Sequence, residues 1–524
     1  MPRRILDRLD DWKRRFEPGG DGELETLLAQ IATRRFKDPA DLVRLHETLL
    51  FLRAYPRTPA VARLADEILF SFAARVAPLK DREPFEEAEV SGIAGTSFAA
   101  VFSYEVARRL AALHPRHIEI AWDRHDQVDK LGPALARFLP LIEEDWPVEA
   151  HVPFRQWMAA AHRRGVTDLA WLLERLSDLA PRAAAGVYEA LDLPLLWDIA
   201  NARTSRSRLR LPVRKLFCHR EPLLRRSDVS LVKELDAPPL PIRRLPRAEA
   251  RRILDVILDT SAMRYRELYG FSHPDESAVF HTDAGRGVDV YFFGVPPAWR
   301  LPLRAYHAGM FFKNGVPAGY VELLSLFERA EVGFNLYYTF REGESAWLYA
   351  RLLHLFRQVL GVTCFSVDPY QIGLENSEAI DSGAFWFYRK LGFRPVEPAV
   401  AALVAREERR MAETPGYRSS RRTLEKLAAS YILFEGPGAE PGAWDAFRVR
   451  NLGLAAVRHP AADPSASGLA QIVSPIPDLR DWPSHDKAAL TDILAAKRGP
   501  SEVRYLRLMQ RHPRLRAAFL ALSR

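Results

Sequence analysis

A phenol and a small side chain lie one helical turn apart near residue 385. The segment Asp381-Ser-Gly-Ala-Phe-Trp-Phe-Tyr-Arg-Lys-Leu-Gly-Phe393 is amphipathic, and Gly392 is typical of a helix end. Side chains four residues apart share one face of a helix, so Ala384 and Tyr388 lie on the same side. The small Ala384 leaves room for a ligand beside the Tyr388 hydroxyl. An ordinary aromatic side chain at the edge of the core is the alternative interpretation of Tyr388.

A polar loop precedes the most regular helical pattern of the chain. The loop reads Thr339-Phe-Arg-Glu-Gly-Glu-Ser345, and apolar residues then recur every three or four positions over 345–360. The first N–H groups of a helix have no partner within it, and the helix dipole places partial positive charge there. With small residues at Gly343 and Ser345, this helix start is therefore a candidate site for a phosphate group.

Two carboxylates on predicted strands are candidates for a general base. Glu331 begins the β-like run 331–338, and strand alternation places four residues on one face: Glu331, Gly333, Asn335 and Tyr337. Glu322 lies on the preceding run and is the alternative base. A solvated acid at a strand end is the simpler interpretation of each, so the sequence leaves the choice open.

These residues belong to a regular succession of predicted elements. Two β-like runs, 304–312 and 316–325, flank Lys313-Asn314-Gly315, and Asn-Gly is the strongest short signal for a hairpin. A third β run, the helix after the polar loop, the β-rich run 361–368, a second helix and a strand from Phe393 follow. The order is hairpin, strand, helix, strand, helix, strand, which predicts an α+β fold with a mixed sheet.

Over roughly 285–398 this pattern resembles the GNAT superfamily of acyl-CoA-dependent N-acyltransferases. The family's phosphate loop, Gln/Arg-x-x-Gly-x-Gly/Ala, corresponds to Phe340-Arg-Glu-Gly-Glu-Ser345, in which Gly343 matches while Phe340 and Ser345 depart. The family's later segment, Asn-x-x-Ala-x-x-x-Tyr-x-x-x-Gly-Phe, matches at Ala384, Tyr388, Gly392 and Phe393, with Asp381 in the place of Asn. The order and separation of the two motifs make the resemblance fairly specific.

The resemblance implies a GNAT-type twisted sheet flanked by helices, and the transfer of an acyl group from a CoA thioester to an amine. Acetyl-CoA or another acyl-CoA would be the co-substrate, a small-molecule or peptide amine the acceptor, and no metal is expected. The family splays its fourth and fifth strands, so that backbone near 336–339 pairs with the pantetheine arm. The implied cofactor-binding residues are Leu336, Tyr338, Thr339, Arg341, Gly343, Glu344, Ser345, Ala346, Asp381 and Ala384.

The same resemblance implies roles for the phenol and one carboxylate. Tyr388 would protonate the departing thiolate, which its ordinary pKa of about 10 suits because the phenol is protonated at neutral pH. Glu331, or Glu322 in its place, would accept the proton of the amine. Because the phosphate loop departs from the family pattern, a degenerate GNAT fold that binds or assembles without catalysis is the alternative.

The length of 524 residues exceeds that of one compact domain. We predict a helical N-terminal region at 1–90, a mainly helical domain at 91–236, a linker at 237–246, the GNAT-like domain at 247–398 and a helical C-terminal extension at 399–524. Within the second segment, 97–113 is predicted to be helical with Ser97 as its N-cap, followed by a strand at 117–122. The segment 460–483 is rich in Pro, Ser and Asp and predicts irregular structure.

The composition and charge of the sequence indicate which other classes of function it excludes and which it leaves open. Two cysteines exclude a disulfide framework and suit a reducing, cytoplasmic setting. No apolar run reaches the roughly 18 residues of a membrane span, and the charged N-terminus does not resemble a signal peptide. The net charge of +8 and the arginine-rich stretch 203–226 raise a nucleic-acid-associated function as a further alternative. Few aromatic residues interleave the stretch, so we favour a solvated or interdomain-pairing surface there.

Overall fold

The structure is a computed structural model, and it describes residues 2–16, 19–139, 153–200, 202–265, 267–459 and 468–524. The helices of this part of the chain are α1 (Pro2–Arg14), α2 (Asp21–Ala32), α3 (Pro39–Ala54), α4 (Pro59–Phe70), α5 (Phe72–Val76), α6 (Tyr104–Leu113), α7 (Leu131–Leu135), α8 (Phe154–Ala161), α9 (Asp168–Leu176), α10 (Pro181–Leu191), α11 (Leu231–Leu235), α12 (Arg247–Tyr265), α13 (Tyr269–Ser272), α14 (Ser345–Leu360), α15 (Pro369–Ile372), α16 (Ser377–Ser382), α17 (Ala384–Arg389), α18 (Pro398–Glu413), α19 (Arg421–Leu427), α20 (Val449–Arg458), α21 (Leu469–Val473), α22 (Ser484–Arg498), α23 (Glu502–Gln510) and α24 (Pro513–Leu522).

The strands are β1 (Ser97–Val101), β2 (Ile118–Ile120), β3 (Pro194–Asp198), β4 (Arg243–Arg244), β5 (Val279–Gly285), β6 (Val288–Gly294), β7 (Ala305–Lys313), β8 (Val316–Leu326), β9 (Arg329–Leu336), β10 (Cys364–Val367), β11 (Arg394–Pro395) and β12 (Ile432–Glu435). The predicted α+β class with a large mixed sheet is confirmed. None of the helices in the described ranges combines the length and the hydropathy that crossing a bilayer requires.

The chain divides into two compact units. Unit 1 comprises Met1–Pro222, Arg247–His273 and Lys313–Pro317, and unit 2 comprises Leu223–Pro246, Pro274–Phe312 and Ala318–Arg524. The five sequence-based segments stay predictions. The predicted linker contains the edge strand β4, and residues 460–467 of the predicted irregular segment lie outside the described residues.

Unit 1 begins with helices whose starts are set by local side chains. Asp38 accepts a hydrogen bond from the Ala40 amide at 2.9 Å and precedes Pro39, so α3 starts where an N-cap followed by proline favours a helix. The leucines of α3 that recur at three and four residues, among them Leu42 and Leu45, are fully buried. The second half of this helix is buried on all sides, including the polar His46, Glu47 and Arg53, so hydrophobic periodicity predicts only part of its buried surface.

A three-stranded sheet in unit 1 corrects the helix predicted at 97–113. Residues 97–101 form β1, which pairs antiparallel with β3, and the helix α6 starts only at Tyr104. Ser97 is therefore a strand residue and not an N-cap. Phe98 lies opposite Trp197 across the two strands and both are buried, so cross-strand packing outweighs the helical propensity of the local sequence. The predicted strand at 117–122 is present in shorter form as β2.

Unit 2 is built on a nine-stranded sheet in the order β11-β12-β10-β9-β8-β7-β6-β5-β4. Strands β9 and β10 are parallel, whereas β8 with β9, β10 with β12 and β11 with β12 are antiparallel. The predicted hairpin is present, since β7 and β8 are neighbours joined through Asn314 and Gly315. Both residues have positive φ, at 47° and 77°, as a tight Asn-Gly hairpin turn requires.

Of the two helices predicted in the motif region, the first is present as predicted and the second is divided in two. The helix at 345–360 is present as α14 with the predicted bounds, and Gly361 ends it with φ at 73°. The single helix predicted across 381–391 is instead two short helices, α16 and α17. Gly383 separates them in the left-handed conformation, with φ at 67°, and its amide bonds the Ile380 carbonyl at 3.0 Å. This glycine ends α16 and redirects the chain before Ala384.

Candidate functional site

Strands β9 and β10 pair over a short distance and then separate. Their parallel register joins Arg329–Glu331 with Cys364–Ser366, whereas β9 continues to Leu336 and pairs with β8 along its whole length. In the described sheet, the stretch Val332–Leu336 therefore has a strand partner on the β8 side alone. Beyond Glu331, this edge of β9 is no longer covered by β10.

Helix α14 starts beside this opening and exposes unpaired amides. The Leu348 amide makes the first helical hydrogen bond, to the Glu344 carbonyl at 2.9 Å. Among the described residues, the amides of Ser345, Ala346 and Trp347 have no acceptor. The Gly343 amide is instead used within the preceding turn, where it bonds the Phe340 carbonyl at 2.8 Å. An anion at this helix end would thus meet Ser345 and Ala346 rather than Gly343.

The side chains of the loop mostly serve the fold. The Glu344 carboxylate is buried and takes a bidentate contact from Arg286, and the Leu224 amide donates to it at 3.1 Å. It is therefore neutralised and does not oppose an anion at the helix start. Arg341 is exposed and pairs with Glu378. The other predicted residues of this stretch, Leu336, Tyr338 and Thr339, connect β9 to α14, and the first and last of them are buried.

One cavity brings the two sequence motifs together. Its volume is about 680 Å³, and Ser345 at the start of α14 lines it together with Asp381 and Gly383 of the second motif. Asp381 is exposed there, with its carboxylate 2.8 Å from an Arg421 guanidinium nitrogen. Ala384 follows Gly383 at the start of α17. Residues separated by more than thirty positions in the sequence thus line a single space of the size that holds organic ligands.

The same cavity is lined by three cations that were not among the predicted site residues. Arg226, Lys390 and Arg418 have no carboxylate partner among the described residues. Partial burial, and then the charges of Arg226 and Arg418, lower the pKa of Lys390. The three groups are therefore close enough to repel one another, and a multiply charged anion would relieve that repulsion. The aromatic side chains of Trp386 and Tyr417 also line the cavity and offer surfaces for a base or another flat group.

Tyr388 is packed in an aromatic cluster behind this cavity. Its ring lies 5.4 Å from that of Tyr349 and 5.6 Å from that of Phe393, and the residue is only 3% exposed. Burial raises its pKa above the usual range, so the phenol stays protonated. Its hydroxyl has no hydrogen-bond partner among the described residues, and Tyr388 does not line the cavity. The hydroxyl is thus a donor without a protein acceptor, held in place by rings.

Glu322 has the environment of a base more clearly than Glu331 does. It lies directly opposite Gly333 on β9, at the stretch that has lost its β10 partner. Burial raises the pKa of Glu322, and the hydrogen bond donated by the Tyr306 hydroxyl opposes this rise. Gly333 has no side chain to cover the Glu322 carboxylate, and Gln371 is the other residue close to Gly333. A carboxyl of this kind accepts a proton more readily than a solvated one.

Glu331 is bound to two arginines. Its carboxylate lies 3.3 Å from a nitrogen of Arg304 and 3.6 Å from one of Arg329. It also lies where β9 and β10 are still paired, opposite Ser366. Glu331, Gly333 and Asn335 lie on one face of the sheet, as predicted, because they pair with every second residue of β8. The alternative that the sequence left open is thus better placed than the first candidate.

Tyr388 and Glu322 belong to opposite faces of the sheet. Phe334 alternates with Gly333 along β9, and its ring lies 5.0 Å from Tyr349 of α14, on the side of Tyr388. Glu322 and Gly333 point to the other side. The two side chains therefore lie on opposite sides of the sheet.

Three contributors to the site were not identified from the motifs. Lys390 lies two residues after Tyr388, Arg226 ends the basic stretch, and Arg418 lies between α18 and α19. Their charge was visible in the sequence, but their convergence was not, because it depends on how α17, α18 and the chain before α11 pack. Tyr306 was likewise within the predicted hairpin without a signal for its contact with Glu322.

Comparison of this chain with protein-family models, with curated proteins and with solved structures gave no match.

Proposed function

We propose that unit 2 is an acyl-CoA-dependent N-acyltransferase of GNAT type. The observation that carries this proposal is the basic cavity shared by the start of α14 and by the α16–α17 segment, which are the two motif regions. Unpaired helix amides and three cations suit the phosphate groups of CoA. The separation of β9 from β10 supports the proposal as well, because it opens the sheet where a pantetheine arm would lie.

The two proton transfers of the reaction are assigned to residues on opposite faces of the sheet. Bound acyl-CoA would supply an activated acyl carbon in a thioester. On one face, Glu322 takes a proton from the acceptor amine, whose nitrogen then bonds to the acyl carbon as the carbon–sulfur bond breaks. On the other face, Tyr388 donates its proton to the departing thiolate sulfur. Glu322 ends as the neutral acid and Tyr388 as a phenolate, and transfer of one proton from Glu322 to Tyr388 through solvent restores both.

The cation cluster is tested by binding in the absence of any acceptor. Acetyl-CoA at about a hundred times its dissociation constant should stabilise the protein by roughly 2.7 kcal/mol, measured as a thermal shift. Arg226→Gln and Arg418→Gln should each reduce the affinity about tenfold, because a charge-assisted hydrogen bond is lost. Arg406→Gln removes the same charge from an exposed site on α18 outside the cavity and should have no effect. Equal affinities in all three variants would contradict the proposal.

Tyr388→Phe tests the donor separately from binding. The substitution keeps the ring in its aromatic cluster and removes only the hydroxyl. We expect turnover to fall by about 10²-fold, at the low end of the range for general acid–base catalysis, with an unchanged acetyl-CoA thermal shift. The readout is the release of free CoA thiol with an amine that the wild-type protein accepts. Full activity in this variant would remove Tyr388 from the mechanism.

A binding or assembly module without catalysis is the second candidate. It is favoured by the burial of Tyr388, which is 3% exposed and lies outside the cavity lining. Under this alternative, acetyl-CoA stabilises the protein but no amine releases free CoA thiol.

A nucleic-acid-associated function has less support. In the basic stretch, Arg206 is buried with both Glu47 oxygens within 2.8 Å, and Arg210 lies 2.5 Å from Asp66. These arginines are therefore ion-paired within unit 1, as expected for a paired surface rather than for one that contacts phosphates.

A further inference from the structure

Unit 2 contains a second cavity that shares no lining residue with the first. Its volume is about 520 Å³, which is within the range of sites for small organic ligands. It lies between strands β5 and β6, the last turn of α14 and the start of α23. About half of its lining residues are aromatic or aliphatic: Ile242, Ala278, Phe280, Phe292, Phe293, Val295, Val359 and Val503. An apolar group can therefore be buried in it favourably.

His307 is the most unusual polar group in this wall. It is 5% exposed, and neither ring nitrogen has a hydrogen-bond partner among the described residues, with Nδ1 fully buried. Burial, and then the charges of Lys497 and Arg300, lower the pKa of His307 to about 4. The ring is therefore neutral at physiological pH, with one donor and one acceptor nitrogen. A buried polar group without a partner is costly, so a ligand that supplies one would gain affinity.

The charged groups around the cavity leave a surplus of positive charge. Glu502 is neutralised by Lys497 at 2.5 Å and also accepts from the Tyr306 amide. Arg300 contacts only carbonyl oxygens among the described residues, with one nitrogen 2.8 Å from that of Lys497 and 2.6 Å from that of Gly499. Arg244 likewise donates to the Ser277 carbonyl.

The acid Asp275 in the same wall is engaged by the amide and hydroxyl of Ser277. The cavity thus combines an apolar body, two arginines without acidic partners and a neutral imidazole.

We propose that this cavity binds a small amphiphilic carboxylic acid, with its apolar body between the phenylalanines and its carboxylate contacted by Arg300 and His307. The ligand is distinct from the acyl-CoA of the first cavity. Nε and Nη1 of Arg300 already donate to carbonyl oxygens, so Nη2 is the guanidinium donor left for the carboxylate, and the imidazole N–H supplies the second donor. A neutral ligand of the same shape would leave Arg300 without an anion.

The proposal is tested by isothermal titration calorimetry of the full chain with 4-phenylbutyrate and its neutral analogue 4-phenylbutan-1-ol. We expect the acid to bind at least tenfold more tightly than the alcohol. Arg300→Gln should weaken acid binding about 10- to 100-fold, the range for a hydrogen bond to a charged group. Arg357→Gln is the matched control, because Arg357 is partly exposed, donates to a carbonyl and lies outside the cavity. Equal binding of acid and alcohol, or no binding of the acid, would overturn the proposal.

His307→Phe and Gly294→Leu separate a binding role from a structural one. His307→Phe removes an unpaired buried nitrogen, so the melting temperature without ligand should stay the same or rise while acid affinity falls about tenfold. Gly294 lines the cavity, and the nearest atoms to a Cβ placed there are 3.5 Å away or farther, so a leucine fits on the backbone and fills the space beside His307. Gly294→Leu should abolish acid binding with an unchanged acetyl-CoA thermal shift. Wild-type acid affinity in either variant would refute the site.

Discussion

Ser345→Asp is expected to weaken acetyl-CoA binding by about 10²- to 10³-fold. Two like charges 4 Å apart at an effective dielectric of about 20 repel by roughly 4 kcal/mol, and the partial exposure of Ser345 reduces this value. Each 1.4 kcal/mol corresponds to about a factor of ten in the dissociation constant. Ser345 lies where the unpaired amides of α14 meet the basic cavity, so the new carboxylate would occupy the position proposed for a phosphate.

The control for this prediction is Ser345→Asn, because Asn is isosteric with Asp. An acidic residue in the first helical turn interacts favourably with the helix dipole, so Ser345→Asp should fold at least as stably as the wild type. Asn has the same size without the charge and should retain acetyl-CoA affinity within a few-fold. Affinities measured by calorimetry that are equal for Asp and Asn would place the phosphates elsewhere. A loss in Asp alone would support the helix start as the binding point.

Glu322→Gln is expected to lower the rate of acyl transfer by about 10²- to 10⁴-fold, the usual contribution of a general base. The amide keeps the size of the side chain and its contact with Tyr306 but does not accept a proton from an ammonium group. Acetyl-CoA binding should be unchanged, because Glu322 lies on the sheet face opposite α14. The measurement is the release of free CoA thiol with an accepted amine, beside the thermal shift with acetyl-CoA.

The role of Glu322 as a base also predicts how the rate of acyl transfer changes with pH. A base acts in its ionised form, and burial raises the pKa of Glu322, so the wild-type rate should increase with pH until the pH exceeds this raised pKa. Glu322→Gln should lose this ascending limb. Glu331→Gln is the comparison, because Glu331 is held by Arg304 and Arg329 and should leave both the rate and the limb nearly unchanged. If Glu331→Gln instead lost the rate and the ascending limb while Glu322→Gln kept both, Glu331 would be the base.

Local patterns in the sequence were sufficient where a short segment decides its own conformation. The Asn314-Gly315 turn requires positive φ at two residues, which Asn and Gly tolerate, so the hairpin was predicted correctly. Helix α14 was predicted to its end residues, because hydrophobic periodicity runs from a polar loop to a terminating Gly361. Only Gly392 was predicted to end a helix in the second motif, and periodicity did not show that Gly383 interrupts that helix.

The sequence by itself determined the α+β class, the order of elements around the two motifs and the residue types available for phosphate and proton chemistry. Only the tertiary structure decided which of these residues meet. Arg226, Lys390 and Arg418 converge across almost two hundred positions, and Glu322 rather than Glu331 lies at the strand opening. The physical reason is that periodicity and turn propensity act over a few residues, whereas the approach of distant charges and the burial that shifts a pKa depend on the packing of whole elements.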